Sequence, residues 1–196
     1  MRRATLTAQE RSSYLEQIRR FPILTADEEC TLATRWRDCR DRYAADQLAT
    51  SYLRLVAKIA MGYRRYGLAM SDLIAEGNVG LMRAIKRFEG ARFSTYAIWW
   101  IKAEIQDYIL RSRSLVRIGT TRSQKRLFFN LSNAKSRLCA NHEGDLGAHH
   151  VSLIANELGD VEKDVVEMNR RLRWDVSLNL PLNEDGSPVE WEDRLV

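Results

Sequence analysis

Three aromatic residues, Tyr96, Trp99 and Trp100, stand close to Lys102 and Gln106 in the stretch Phe93 to Arg111, FSTYAIWWIKAEIQDYILR. Flat rings beside cationic and hydrogen-bonding side chains suit stacking on unpaired nucleic-acid bases, at roughly 1–3 kcal/mol per base. On an α-helix turning about 100° per residue, Ala97, Ile98, Ile101, Ile105, Tyr108 and Ile109 share one arc and form a core-facing stripe. The three rings fall near the opposite direction, together with Thr95, Lys102, Ala103 and Gln106. The other reading is a helix buried on both sides, since aromatic residues are more often packed than displayed. Catalysis has no comparable signal. There is no Gly-rich phosphate loop and no nucleophile with an evident base. Cys139, His142, His149 and His150 form the one Cys/His cluster, and their spacing fits no strong zinc pattern. The sequence therefore predicts no enzyme, no metal and no cofactor.

Charge concentrates where the rings are. The net charge of +5 hides a segment, residues 83–137, with 13 Lys/Arg against 3 Asp/Glu, and a segment, 138–196, with 5 against 13. Basic residues around displayed rings point to nucleic acid. No apolar run reaches the ~18 residues of a membrane span, and Met1-Arg2-Arg3 leads into polar sequence rather than a signal-peptide core. Three widely spaced cysteines argue for reduced thiols, so the expectation is a cytoplasmic protein with no membrane partner.

The elements that position the aromatic helix read as helices almost throughout. Thr7–Arg19 is amphipathic, and Thr25 caps a helix running to about Asp41, with Asp27 and Glu28 in its first turn. Residues 44–65 form a long helix broken at Tyr66-Gly67. Another runs from Ser71 to Phe88, and the aromatic helix continues to about Arg113. Helices follow over 121–138, 151–158 and 161–172. The last two are joined by Gly159-Asp160, compatible with a helix-turn-helix or a plain αα-hairpin. From Trp174 the pattern gives way to an acidic tail with turn chemistry at Asn183–Pro188. Gly77 and Gly80 inside a helical pattern each cost about 1 kcal/mol relative to alanine. They mark either close approach of a neighbouring helix or a surface shaped for another protein.

The run DLIAEGNVGLMRAIKRF, followed by RFSTYAIWWIKAEIQDYILRSRSLVRI, resembles region 2 of the bacterial sigma-70 family of transcription initiation factors. QKRLFFNL at Gln124–Leu131 resembles the box of the heat-shock (RpoH-type) branch, and YLEQIRRFPILTADEE and SYLRLVAKIAMGYRRYGL fit the same branch. The resemblance covers the chain from about Tyr14 to its end. It implies an all-α protein in three parts: a region 1.2/2 helical bundle over 1–115, a small three-helix region 3 domain over 116–173, and an acidic linker over 174–196.

The same resemblance implies the partners and the residues that meet them. Asp72, Glu76, Asn78 and Met82 match contacts to the β′ clamp helices of core RNA polymerase. Tyr96 matches a residue that stacks on a flipped base of the nontemplate strand of the −10 element, and Trp99 and Trp100 match the wedge at the upstream edge of the bubble. Arg92, Phe93, Ser94, Thr95 and Lys102 match contacts to bases or backbone. Arg117 matches a duplex-backbone contact, and Thr121 and Gln124 face the extended −10 region. Gln124, Leu127, Phe128 and Phe129 match polymerase-binding positions, with some of the apolar ones serving the domain core. Chaperones and a regulatory protease are implied partners of the heat-shock branch. The function implied is initiation at stress promoters; a truncated competitor or a stand-alone DNA-binding regulator is the alternative.

Four departures from the family pattern stand out. The connection FEGARF between Phe88 and Phe93 is about three residues short, and Ala91 replaces a frequent aromatic. Arg113 stands where the branch has tryptophan. The chain also stops at Val196, before a C-terminal domain that would read the −35 element.

Overall fold

The computed structural model describes residues 8–89, 92–114, 116, 119, 121–137, 146–172 and 178–180. Every regular element among them is helical, and they divide into two compact units at Arg113/Ser114. The first unit holds α1 (Ala8–Arg19), α2 (Ala26–Cys39), α3 (Arg42–Gly62), a short 3-10 turn (Arg64–Tyr66), α4 (Met70–Arg87) and α5 (Phe93–Ser112). The second holds α6 (Arg122–Arg137), α7 (Ala148–Leu158) and α8 (Glu162–Arg171). None of the described helices is long and apolar enough to cross a membrane.

Local chemistry explains where these helices begin and end. Thr25 caps α2 in a reciprocal box: its hydroxyl accepts from the Glu28 N–H, and the Glu28 carboxylate accepts from the Thr25 N–H at 2.8 Å. The Thr25 N–H and hydroxyl both donate to the Glu28 carboxylate and hold it below the usual carboxylate range. α2 stops at Cys39 because Arg40 turns left-handed, at φ 53°, and returns its N–H to Trp36. Asp41 then caps α3 through the Tyr43 N–H, so α3 starts two residues before the position that apolar periodicity alone indicates. Gly67, at φ 73°, closes the turn that leads into α4.

The core of the first unit is built mainly from α3, α4 and α5. Leu48, Val56 and Ala60 meet Leu73, Leu81, Ala84 and Ile85, and beneath them lie Ala97, Ile101, Ile105 and Ile109, each at most 1% exposed. α4 and α5 touch most closely at Gly80, where a Cβ would lie 2.7 Å from the Trp100 carbonyl oxygen and 2.9 Å from the Ile101 Cα. At Gly77 a Cβ would meet Val56 Cγ1 at 2.6 Å. Both glycines are buried between helices of their own unit, which settles their role as packing rather than display.

The second unit packs Leu127, Phe128, Leu131 and Ala134 of α6 on Val151, Ile154 and Ala155 of α7 and on Val165 and Met168 of α8. The turn between α7 and α8 uses Gly159 at φ 64°. It is pinned to α6 through Asp160, which accepts from the Ser123 hydroxyl at 2.7 Å and from Arg126 at 2.8 Å.

Candidate nucleic-acid and partner interfaces

α5 is a helix with two unlike faces. Its aliphatic arc is in the core, and on the other side Trp99 is 73% exposed. Thr95, Lys102 and Arg92 are exposed, while Tyr96 and Trp100 are half-buried. The helix buried on both sides is therefore not what forms.

Two of the rings, Tyr96 and Trp100, are held in place from the C-terminal end of α4. The buried Phe88 ring lies 5.7 Å from Tyr96, and Tyr96 lies 6.1 Å from Trp100 at 66°. The Tyr96 hydroxyl donates to the Arg87 carbonyl at 3.2 Å. The Arg87 guanidinium sits 5.1 Å from the Trp100 ring centroid, within cation–π range. Arg87 went unread in the sequence. It is 13 positions from Trp100, and a single-helix wheel carries no information across helices.

Phe93 requires a correction. Expected among the strand-contacting residues, it is 1% exposed, packed edge-on against Tyr52 at 5.0 Å and Phe88 at 5.3 Å. The physical reason is its position one turn before Ala97, which puts it on the core side of the helix. Ser94 is half-buried, and its N–H donates to Glu29 of α2 at 2.8 Å.

In the second unit, Thr121 and Gln124 face each other. The Gln124 N–H donates to the Thr121 hydroxyl at 3.3 Å, and the Thr121 N–H donates to the Gln124 amide oxygen at 3.4 Å. This reciprocal pair is a capping box for α6, and the T-x-x-Q spacing was its overlooked signal. Leu127 and Phe128, expected at a polymerase contact, are fully buried in the core of that unit. Both are corrected for that reason, whereas Phe129 is half-buried, edge-on to Phe128 at 4.9 Å. Arg117, Ala91, Cys139 and His142 lie outside the described residues. The His149 and His150 rings are 5.9 Å apart. Among the described residues no group of His, Cys, Asp and Glu could hold a metal ion.

The outer face of α4 forms a second surface. Val79 and Met82 are 44% and 42% exposed, with Ala75 exposed beside them and Asp72 and Glu76 on the flank. Val79, the centre of this strip, was missed because an isolated valine inside a helical pattern reads as core. Asp72 accepts from the Tyr108 hydroxyl of α5 at 2.9 Å. Arg83 ion-pairs with the nearly buried Glu104 of α5. Asn78 lies at the edge of the strip, its amide oxygen buried with no hydrogen-bond partner among the described residues.

The helical bundle thus carries an aromatic, basic face on one helix and a small apolar strip flanked by carboxylates on the next, and the chain belongs to the sigma-70 family. Residues 48–115 match the family model Sigma-70 region 2, and residues 12–40 match Sigma-70 factor, region 1.2. Within the family its relatives include proteins named RpoH. It is 57% identical over 188 residues to RNA polymerase sigma factor RpoH of Caulobacter vibrioides, covering 94% of this chain and 63% of that protein. It is 54% identical over 198 residues to RNA polymerase sigma factor RpoH of Rhizobium radiobacter, covering 98% and 66%. RNA polymerase sigma-C factor of Myxococcus xanthus is 44% identical over 179 residues, covering 89% and 60%. The chain thus spans 60–66% of the length of these curated relatives.

Proposed function

We propose that this chain acts in transcription initiation at heat-shock-type promoters, binding core RNA polymerase and holding the nontemplate strand of the −10 element as the duplex opens. The observation that carries this reading is the outward face of α5. Tyr96, Trp99 and Trp100 stand there among Arg87, Arg92 and Lys102 on a helix whose other face is core. Stacking of flipped bases on such rings offsets a few kcal/mol of unpairing per base. The cations neutralise phosphates, so binding should weaken steeply with salt. The chemistry of RNA synthesis would remain with the polymerase.

On this reading the strip Ala75–Val79–Met82, with Asp72 and Glu76 beside it, meets the β′ clamp helices. Its apolar centre and acidic flank give it both burial and orientation. Thr121 and Gln124 face the extended −10 region on this reading, on a backbone that their capping box orders. The division of the chain into a region 1.2/2 part and a region 3 part belongs to the same proposal.

The test is promoter opening. The purified chain is mixed with core polymerase and a heat-shock-type promoter carrying a fluorescent base in the −10 element, with an extended −10 version alongside. A signal that requires both proteins supports an initiating factor. Stable polymerase binding without any opening supports the competitor instead.

A further inference from the structure

One buried carboxylate has no part in either surface yet connects to both the core and the aromatic helix. Glu29 of α2 is 9% exposed and points at the start of α5, whose flanking residue Arg92 supplies no side-chain cap. One Glu29 oxygen accepts the Ser94 N–H at 2.8 Å, and the other accepts the Tyr52 hydroxyl at 2.5 Å. A helix begins with N–H groups that lack intrahelical partners and with partial positive charge, so a carboxylate there both satisfies a donor and meets the dipole.

We propose that Glu29 is a positioning residue for the strand-binding face, an N-cap delivered to α5 from α2, 65 positions away in sequence. This inference rests on the strand-binding reading of α5. The first turn of α5 is Phe93-Ser94-Thr95-Tyr96, so the residue that fixes this turn fixes where Thr95 and Tyr96 are presented. The arrangement is built to hold its place. The capping box at Thr25 and Glu28 orders the first turn of α2 immediately before Glu29. Tyr52 is held between Glu29 and the edge of Phe93, which itself occupies the core under that same turn. Glu29 touches no exposed ring, so its effect on nucleic acid passes entirely through the backbone of α5.

The experiment compares wild type, Glu29→Ala and Glu29→Gln by two readouts, with affinity for core polymerase measured as the control. The first is amide exchange at residues 94–97 in the purified chain. The second is affinity, with core polymerase bound, for a single-stranded −10 nontemplate oligonucleotide against a scrambled one. Glu29→Ala should speed exchange at Ser94 and weaken preference for the −10 strand by about fivefold each, the size of a typical lost helix cap. Polymerase affinity should stay within about twofold, as for residues remote from an interface. Glu29→Gln keeps an acceptor oxygen for the Ser94 N–H and should recover most of both effects. If wild type prefers the −10 strand and the alanine variant prefers it equally, the positioning role is overturned. Parallel loss of polymerase binding and strand binding, with no recovery by glutamine, overturns it as well, showing general unfolding. If wild type shows no preference for the −10 strand, the strand-binding reading fails and the proposal falls with it.

Discussion

Gly80 and Trp100 meet backbone to backbone: a methyl group built on Gly80 would lie 2.7 Å from the Trp100 carbonyl oxygen. The helix that faces polymerase in our proposal therefore rests directly on the residue proposed as the wedge of the DNA face. Nothing at that contact is a flexible side-chain end that could move aside.

Gly80→Ala should destabilise the first unit by about 1–3 kcal/mol, the cost of overpacking a rigid contact, and should impair promoter opening beyond that loss. Gly62→Ala is the comparison, since nothing lies within 4 Å of a Cβ there. It should be neutral or stabilise by up to about 1 kcal/mol. Urea unfolding of the two variants, followed by the fluorescent-base assay, checks both.

The rings of α5 should separate into two classes. Trp99→Ala, Trp100→Ala and Tyr96→Ala should each weaken −10 strand binding by roughly 1–3 kcal/mol while leaving polymerase binding intact. Phe93→Ala should instead destabilise the fold by roughly 3–5 kcal/mol, as truncation of a buried aromatic does. Oligonucleotide titration alongside thermal unfolding would separate them, and a folded Phe93→Ala with selective loss of strand binding would contradict the core assignment.

Glu76→Lys and Val79→Asp are expected to weaken polymerase docking first. Val79 is 44% exposed, so the aspartate should change stability by only about 0.5 kcal/mol. Competition binding to core polymerase reads the effect, and undiminished binding by both variants would remove the α4 strip from the interface.

Alkaline pH should loosen the first unit. Burial pushes the Tyr52 phenol well above its ordinary 10.0, the bond to Glu29 adds to the shift, and burial raises Tyr63 and Tyr66 too. A raised folded-state pKa gives stability that is fully present below the unfolded value and is lost as pH rises through the folded one. Stability should thus decline from about pH 10 upward. Tyr52→Phe should make that decline shallower, with Tyr63 and Tyr66 leaving a residual slope. Chemical unfolding on either side of about pH 10 is the measurement.

Periodicity within one helix was readable from the sequence; contacts between helices largely were not. The 100° rotation separated Ala97, Ile101, Ile105 and Ile109 from Trp99 correctly, because each helix must bury one stripe. The same rotation places Phe93 one turn from Ala97, on the core side, where the structure has it, although family resemblance had put it against the strand. The Thr25 cap was legible because a capping box is a local pattern, and the box at Thr121 and Gln124 was equally local but overlooked. Arg87 over Trp100 and Glu29 under Ser94 depend on how helices pack. No spacing rule within a single element reveals them.

Rigidity is unevenly distributed over the displayed face. Tyr96 is tied to the Arg87 carbonyl and Trp100 lies beneath the Arg87 guanidinium, so both rings have surrendered much of their rotational freedom before any strand arrives. Trp99, 73% exposed, has kept most of its own. Immobilising a side chain on association costs about 0.5–1.5 kcal/mol, and here that entropy loss falls chiefly on one indole. Trp99 should therefore be the ring whose motion changes most on engagement, and its fluorescence anisotropy the natural clock for the event.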